Sequence, residues 1–138
     1  MPKSIGELMS RDPITCPPDA AIRAAAELMR DRDIGDVIVV DGDEVRGIVT
    51  DRDIAVRAVA DGRGPETLLS DVLSGQVVTV APEDRVEKVI DLMREHAVRR
   101  IPVVEGGRLA GVISIGDLAI ERDSDSALAD ISAARENT

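Results

Sequence analysis

Two short stretches of the chain place the same residue types at the same spacing. Residues 47–53, GIVTDRD, run from a glycine through two branched apolar residues to a hydroxyl at Thr50 and a carboxylate at Asp53. Residues 111–117, GVISIGD, repeat the order with Ser114 and Asp117. In each, a β-branched run gives way to a helical pattern, so the hydroxyl falls at a helix start. A helix start exposes N–H groups that lack an intrahelical acceptor and the positive end of a dipole, which together seat a phosphate. The hydroxyl adds a phosphate hydrogen bond, and an ionised carboxylate, which only accepts, suits the two hydroxyls of a ribose. The same spacing also makes a capping box, in which both side chains bond the helix's own backbone.

The duplication is not confined to these junctions. Offset by 64 residues, the chain aligns with itself without a gap from Leu8 against Val72 to Val56 against Ile120, and twelve of those 49 pairs are identical. They include Thr15/Thr79, Pro18/Pro82, Met29/Met93, Gly47/Gly111 and Asp53/Asp117. An internal repeat has to be settled before any other fold reading.

Each copy has the same succession of signals. A lead helix (roughly residues 4–10 and 68–74) runs into a brief strand, PITC or VVTV. Pro18-Asp19 and Pro82-Glu83-Asp84 then open a helix, since Pro suits a helix start and acids favour its first turn. Ile22, Ala25, Ala26 and Met29 fall at helical spacing in the first copy, and Val86, Val89, Ile90 and Met93 in the second. Two β-branched strands follow, DVIVV and EVRGIVT joined by DGD, or RIPVV and RLAGVIS joined by EGG, both hairpin signals. A last helix begins at DRDIAVRAVA or IGDLAIER. The order is β-α-β-β-α, twice, in an α/β (α+β) chain. The reading divides the sequence into repeat one with its lead helix (1–62), a linker (63–67), repeat two (68–122) and an acidic tail (123–138) that is partly helical or disordered. One such unit is marginal alone, and two can bury their sheets together.

Composition excludes several functions. The formal net charge is −10, which argues against nucleic acid or an anionic membrane as a partner. There is no Phe, Tyr or Trp, so a bound ring must lie between aliphatic side chains and backbone. Single residues of Cys (Cys16) and His (His96) make neither a disulfide nor a zinc set. Two acids of Asp51-Arg52-Asp53 on one helical turn point apart, a poor metal cluster. Met29 and Met93 read as core filler. No stretch is long and apolar enough to span a membrane and the start lacks a signal-peptide core, so the expected location is cytoplasmic.

The motif G-h-h-[ST]-x-x-D-[LI], present as GIVTDRDI and GVISIGDL, resembles the third strand and last helix of CBS domains, named after cystathionine β-synthase. VRRIPVVEGGRLAGVIS, VVTVAPEDRVEKVIDLMREHAVRRIPVV and ITCPPDAAIRAAAELMRDRDIGDVIVV match the same family. The resemblance covers about residues 5 to 122 and is nearest to stand-alone bacterial two-repeat members, including the hypoxic-response type. It implies a CBS pair, or Bateman module: two repeats packed through their sheets about a pseudo-twofold axis, with two related clefts. It implies regulation rather than catalysis, a homodimer, and a ligand such as AMP, ADP, ATP, S-adenosylmethionine or NAD, with no cofactor required. Carried over residue by residue, one cleft takes Ile14, Thr15, Gly35 and Asp36 near the adenine, with Arg99, Arg100, Ser114 and Asp117 toward phosphate and ribose. The other takes Val78, Thr79, Arg99 and Arg100 with Thr50, Arg52 and Asp53.

The copies differ at one telling place. Before the middle strand, repeat two has Arg99-Arg100 where repeat one has Gly35-Asp36. Arginine grips phosphate oxygens through charge-assisted bonds and an aspartate repels them, so the cleft with Arg99, Ser114 and Asp117 is expected to be the better phosphate site. Repeat one also carries Ile38 where repeat two has Pro102, the commoner family residue. Three functions compete: a ligand-sensing module that signals to a separate, unidentified protein, a ligand-free dimerisation scaffold, and an enzyme. The third is disfavoured because no nucleophile stands beside a base and there is one histidine for acid–base work.

Overall fold

The computed structural model describes residues 4–73 and 77–122. The expectations for the tail at 123–138, and for residue 74 at the end of the second lead helix, lie outside the described residues. The elements are α1 (Ile5–Leu8), β1 (Thr15–Cys16), α2 (Ile22–Arg32), β2 (Asp36–Asp41), β3 (Glu44–Thr50), α3 (Asp51–Ile54), α4 (Val86–His96), β4 (Arg100–Glu105), β5 (Arg108–Ser114) and α5 (Ile115–Arg122). A π-helical turn, Ala55–Val59, prolongs α3, and a 3-10 turn, Leu69–Asp71, stands where the second lead helix was expected.

The chain forms two compact units, and their limits in space do not follow the repeats in sequence. Of the described residues, those between Pro13 and Val77 form one unit, contiguous in sequence; the other joins Ser4–Asp12 to Val78–Arg122. Each repeat's lead segment therefore completes the other repeat. In the contiguous unit, Leu69 and Val72 are fully buried with Ile22, Ala25, Val37, Val39 and Val49. In the discontinuous unit, Ile5 and Met9 from the start of the chain pack with Val89, Met93, Ile101, Val103, Ile113 and Leu118. Both cores are built from aliphatic side chains and methionine, with Cys16 in the contiguous unit. Burial of a side chain of this size is worth about 1.5–3 kcal/mol, so the two lead segments are structural parts of the units they join.

Helices α2 and α4 bury the stripes their spacing predicts, Ile22, Ala25 and Met29 in one and Val86, Val89 and Met93 in the other. Ala26 departs from the expectation and is exposed. Both helices end in a left-handed residue, Asp33 (φ 55°) and Ala97 (φ 53°). Holding an L-residue there costs about 1–2 kcal/mol, and glycine removes that strain while costing about 0.4–1 kcal/mol through the freer unfolded chain. Ala97→Gly is therefore expected to stabilise the protein by about 0.5–1 kcal/mol. Urea unfolding followed by far-ultraviolet circular dichroism checks this, and a loss of stability would contradict the left-handed cap.

The hairpins form as read. β2 pairs antiparallel with β3 and β4 with β5, each with a bulge, at Val39/Val40 and Val103/Val104. Gly106 (φ 60°) and Gly107 (φ 79°) supply the two positive-φ positions of the second turn. The brief first strand behaves differently in the two copies. In repeat one, β1 runs parallel to β2, and Ile38 N–H donates to the Ile14 carbonyl at 3.0 Å. In repeat two the corresponding residue, Pro102, has no N–H to give. Pairing there shrinks to a parallel bridge between Val80 and Val103, and among the described residues the second sheet has two strands instead of the expected three.

Candidate functional site

The two junctions are built alike, each within its own unit. Thr50 pairs with Asp36 across β2–β3, and Ser114 with Arg100 across β4–β5. The first N–H of each following helix is tied to the residue just ahead of the middle strand. Asp51 N–H donates to the Gly35 carbonyl at 3.0 Å, and Ile115 N–H to the Arg99 carbonyl at 2.8 Å. Thus the contiguous unit gathers Ile14, Gly35, Asp36, Thr50 and Asp53 at one end of its sheet, with Thr15 next along β1. In the discontinuous unit Arg99, Arg100, Ser114 and Asp117 come together likewise. Val78 and Thr79 lead into the Val80 bridge.

Both capping boxes are complete. Thr50 N–H donates to Asp53 Oδ2 (2.9 Å) and Asp53 N–H to Thr50 Oγ1 (3.0 Å). Ser114 N–H donates to Asp117 Oδ2 (2.9 Å) and Asp117 N–H to Ser114 Oγ (3.1 Å). The carboxylates are thus held in fixed orientation, each with Oδ1 outside the box. Asp53 Oδ1 lies 3.7 Å from Arg57 Nε. Among the described residues Asp117 Oδ1 has no ion-pair partner. Loss of a cap typically costs about 1 kcal/mol. Ser114→Ala is expected to cost about 1–2 kcal/mol and Thr50→Ala about 1, because Ser114 is only 2% exposed and water cannot readily take the place of its hydroxyl. Chemical denaturation of the two variants side by side tests the order; a smaller effect at Ser114 would contradict it.

The remaining helix-start donors separate the two copies. In repeat one Arg52 N–H is taken by the neighbouring Asp51 carboxylate at 2.8 Å. Repeat two has Ile115 and Gly116 in those places. Among the described residues Gly116 N–H has no acceptor outside its helix. Arg99, whose carbonyl anchors that same helix start, is exposed. The carbonyls of the lead-in strands differ in the opposite sense: Ile14 is engaged by Ile38, whereas no backbone donor among the described residues reaches Val78. Sequence reasoning missed both contrasts, although Asp51 and Pro102 were the signals for them.

Other candidates fall to ordinary roles. Cys16 is buried, and burial pushes its thiol pKa up, which keeps it protonated and unreactive. Among the described residues no three His, Cys, Asp or Glu side chains stand close enough to hold a metal ion. No described helix is long and apolar enough to cross a membrane.

The duplicated β-α-β-β-α units with their twin hydroxyl–carboxylate caps are CBS domains: the family model matches residues 5–59 and 69–123, and the chain belongs to the CBS domain family. It is similar to the CBS domain-containing protein YhcV of Bacillus subtilis, at 37% identity over 133 residues, 94% of this chain and 95% of that one. Hypoxic response protein 1 of Mycobacterium tuberculosis is 36% identical over 100 residues, 71% of this chain and 70% of its own. Among solved structures, Hypoxic Response Protein I with two coordinated zinc ions superposes with a TM-score of 0.80 at 29% identity, covering 85% of this chain and 97% of that one.

Proposed function

We propose that this protein is a non-catalytic regulatory CBS pair that binds an adenosine-containing molecule and passes its occupancy to a separate protein. The ligand class is AMP, ADP or ATP first, with S-adenosylmethionine and NAD as the wider set. A cytoplasmic homodimer is the working form. The observation that carries this reading is the second junction. It combines a carboxylate held by a cap with Oδ1 to spare, a helix-start N–H with no acceptor beside it, and an arginine anchored at the same helix start. These are the acceptor and donors that a ribose phosphate needs.

The preference between the two clefts rests on magnitudes. The unused Val78 carbonyl can accept from a base, a neutral hydrogen bond worth about 0.5–1.5 kcal/mol. The first junction, however, carries the Asp51 carboxylate at a helix start whose second donor is already used. Charged hydrogen bonds are worth about 1.5–3 kcal/mol, so the phosphate end decides, and the cleft with Arg99, Ser114 and Asp117 is the tighter one. The Arg52 side chain partly offsets Asp51 in the other.

The completeness of both capping boxes favours a second reading, a ligand-free dimerisation scaffold, in which Thr50, Asp53, Ser114 and Asp117 serve the backbone alone. One measurement separates the two. Without Trp or Tyr the protein is almost transparent near 260 nm. Untagged, desalted protein is expected to carry an absorbance peak there, resolved by mass spectrometry as an adenine nucleotide. A flat spectrum, joined by silent calorimetry with AMP, ATP, S-adenosylmethionine and NAD, would move the assignment to the scaffold.

A further inference from the structure

The start of the chain closes a unit to which the next stretch of sequence does not belong. Ile5 is fully buried and Met9 nearly so in the discontinuous unit's core. Gly6 N–H donates to the Pro82 carbonyl at 2.9 Å, and Ser10 and Val112 exchange two backbone hydrogen bonds of 2.9 and 3.0 Å. Gly111 is the notch that receives this segment. A Cβ placed there would run into the Ser10 carbonyl oxygen and come within 2.8 Å of Met9 Sδ. Ile14 already bonds Ile38 of the contiguous unit, so the passage between units is left to Arg11, Asp12 and Pro13. Proline fixes its own φ and holds the preceding residue extended, so this hinge resists closing into a compact turn.

Every contact that residues 5–10 make with the discontinuous unit is offered identically by a second copy of the chain. A self-closed chain and an exchanged pair then differ only in the hinge and in concentration, the condition under which short, stiff hinges favour segment exchange. We propose that the lead segment is a detachable strap and that the Gly111 notch of one copy accepts the strap of another, giving reciprocally strapped dimers. The occupant of the notch is in either case the same sequence, IGELMS at residues 5–10.

Ser10 and Val112 form a hydrogen-bonded antiparallel pair, a class with Cα atoms about 5.5 Å apart, within disulfide range. The test uses full-length chains carrying Cys16→Ala, so that only introduced thiols react. Copies with Ser10→Cys are mixed at high concentration with copies carrying Val112→Cys, incubated and oxidised. A covalent heterodimer is expected. It should be absent when the second copy instead carries a cysteine at the exposed, distant hairpin end (Glu105→Cys). A chain holding both Ser10→Cys and Val112→Cys, oxidised when dilute, should close an internal disulfide. Internal closure without any mixed heterodimer overturns exchange. Equal heterodimer yields from Val112→Cys and Glu105→Cys overturn it too, and failure of internal closure overturns the docked strap itself.

Discussion

Gly111→Ala is expected to lower the folding stability by about 2–3 kcal/mol, the largest effect of any single methyl addition considered for this chain. The added carbon meets main chain, the Ser10 carbonyl, as well as the flexible Met9 side chain. Two outcomes compete. The core can absorb the clash, at about 1–3 kcal/mol for an overpacked site, or the lead segment can leave, giving up the burial of Ile5 and Met9 at about 1.5–3 kcal/mol each. The cheaper of the two sets the loss: departure forfeits about 3–6 kcal/mol for the two side chains together, so absorption of the clash is the expected outcome. A double-mutant cycle with Ile5→Ala tells them apart. If the segment has left, truncating Ile5 costs little more, and the two losses fall well short of adding. Gly64→Ala is the control, because nothing lies within 4 Å of a Cβ there. Denaturation of Gly111→Ala with the midpoint and slope of the wild type would remove the notch from the account.

Asp117→Ala is expected to weaken adenine-nucleotide binding by about ten- to a hundredfold, corresponding to the loss of about 1.5–3 kcal/mol of charged hydrogen bonding. Asp53→Ala should weaken it less. The two carboxylates perform the same capping task with nearly the same distances, 2.9 Å in each case to the cap residue's N–H. Both variants should thus lose a similar, smaller amount of stability, about 1 kcal/mol. That equality makes the comparison informative: thermal unfolding without ligand reads the cap, and calorimetry with nucleotide reads the site. Unchanged affinity in Asp117→Ala together with abolished binding in Asp53→Ala would reverse the order of the clefts. Unchanged affinity in both would return the carboxylates to capping alone.

Much of this molecule was legible because the same physics is written twice. The Gly-Gly turn, the period of Val86, Val89 and Met93, and the hydroxyl–carboxylate spacing each have one local solution, and each appears as read. What escaped was decided between distant residues. No periodicity tells Ile5 that it will pack with Leu118 and not with its own repeat. That choice depends on which notch fits, and the notch is Gly111. The missing third strand of repeat two turned on one absent hydrogen, the N–H that Pro102 lacks and Ile38 has. The expected asymmetry between the junctions rests on arginine against aspartate, and the comparison of Asp117→Ala with Asp53→Ala is its test. Asp51 was passed over because an acid in a first helical turn is so ordinary a feature.

The exchange of lead segments also sets an order of assembly. A ribosome delivers residues 4–10 about a hundred residues ahead of β5 and α5, which complete the surface that binds them. The contiguous unit has no such wait, since all of its core lies between Pro13 and Val77. During synthesis the apolar face of Ile5, Leu8 and Met9 therefore stays without its partner while the middle of the chain folds. Residues 4–10 are thus made well before they can be buried, and every copy on a crowded polysome presents that uncovered strap beside its neighbours.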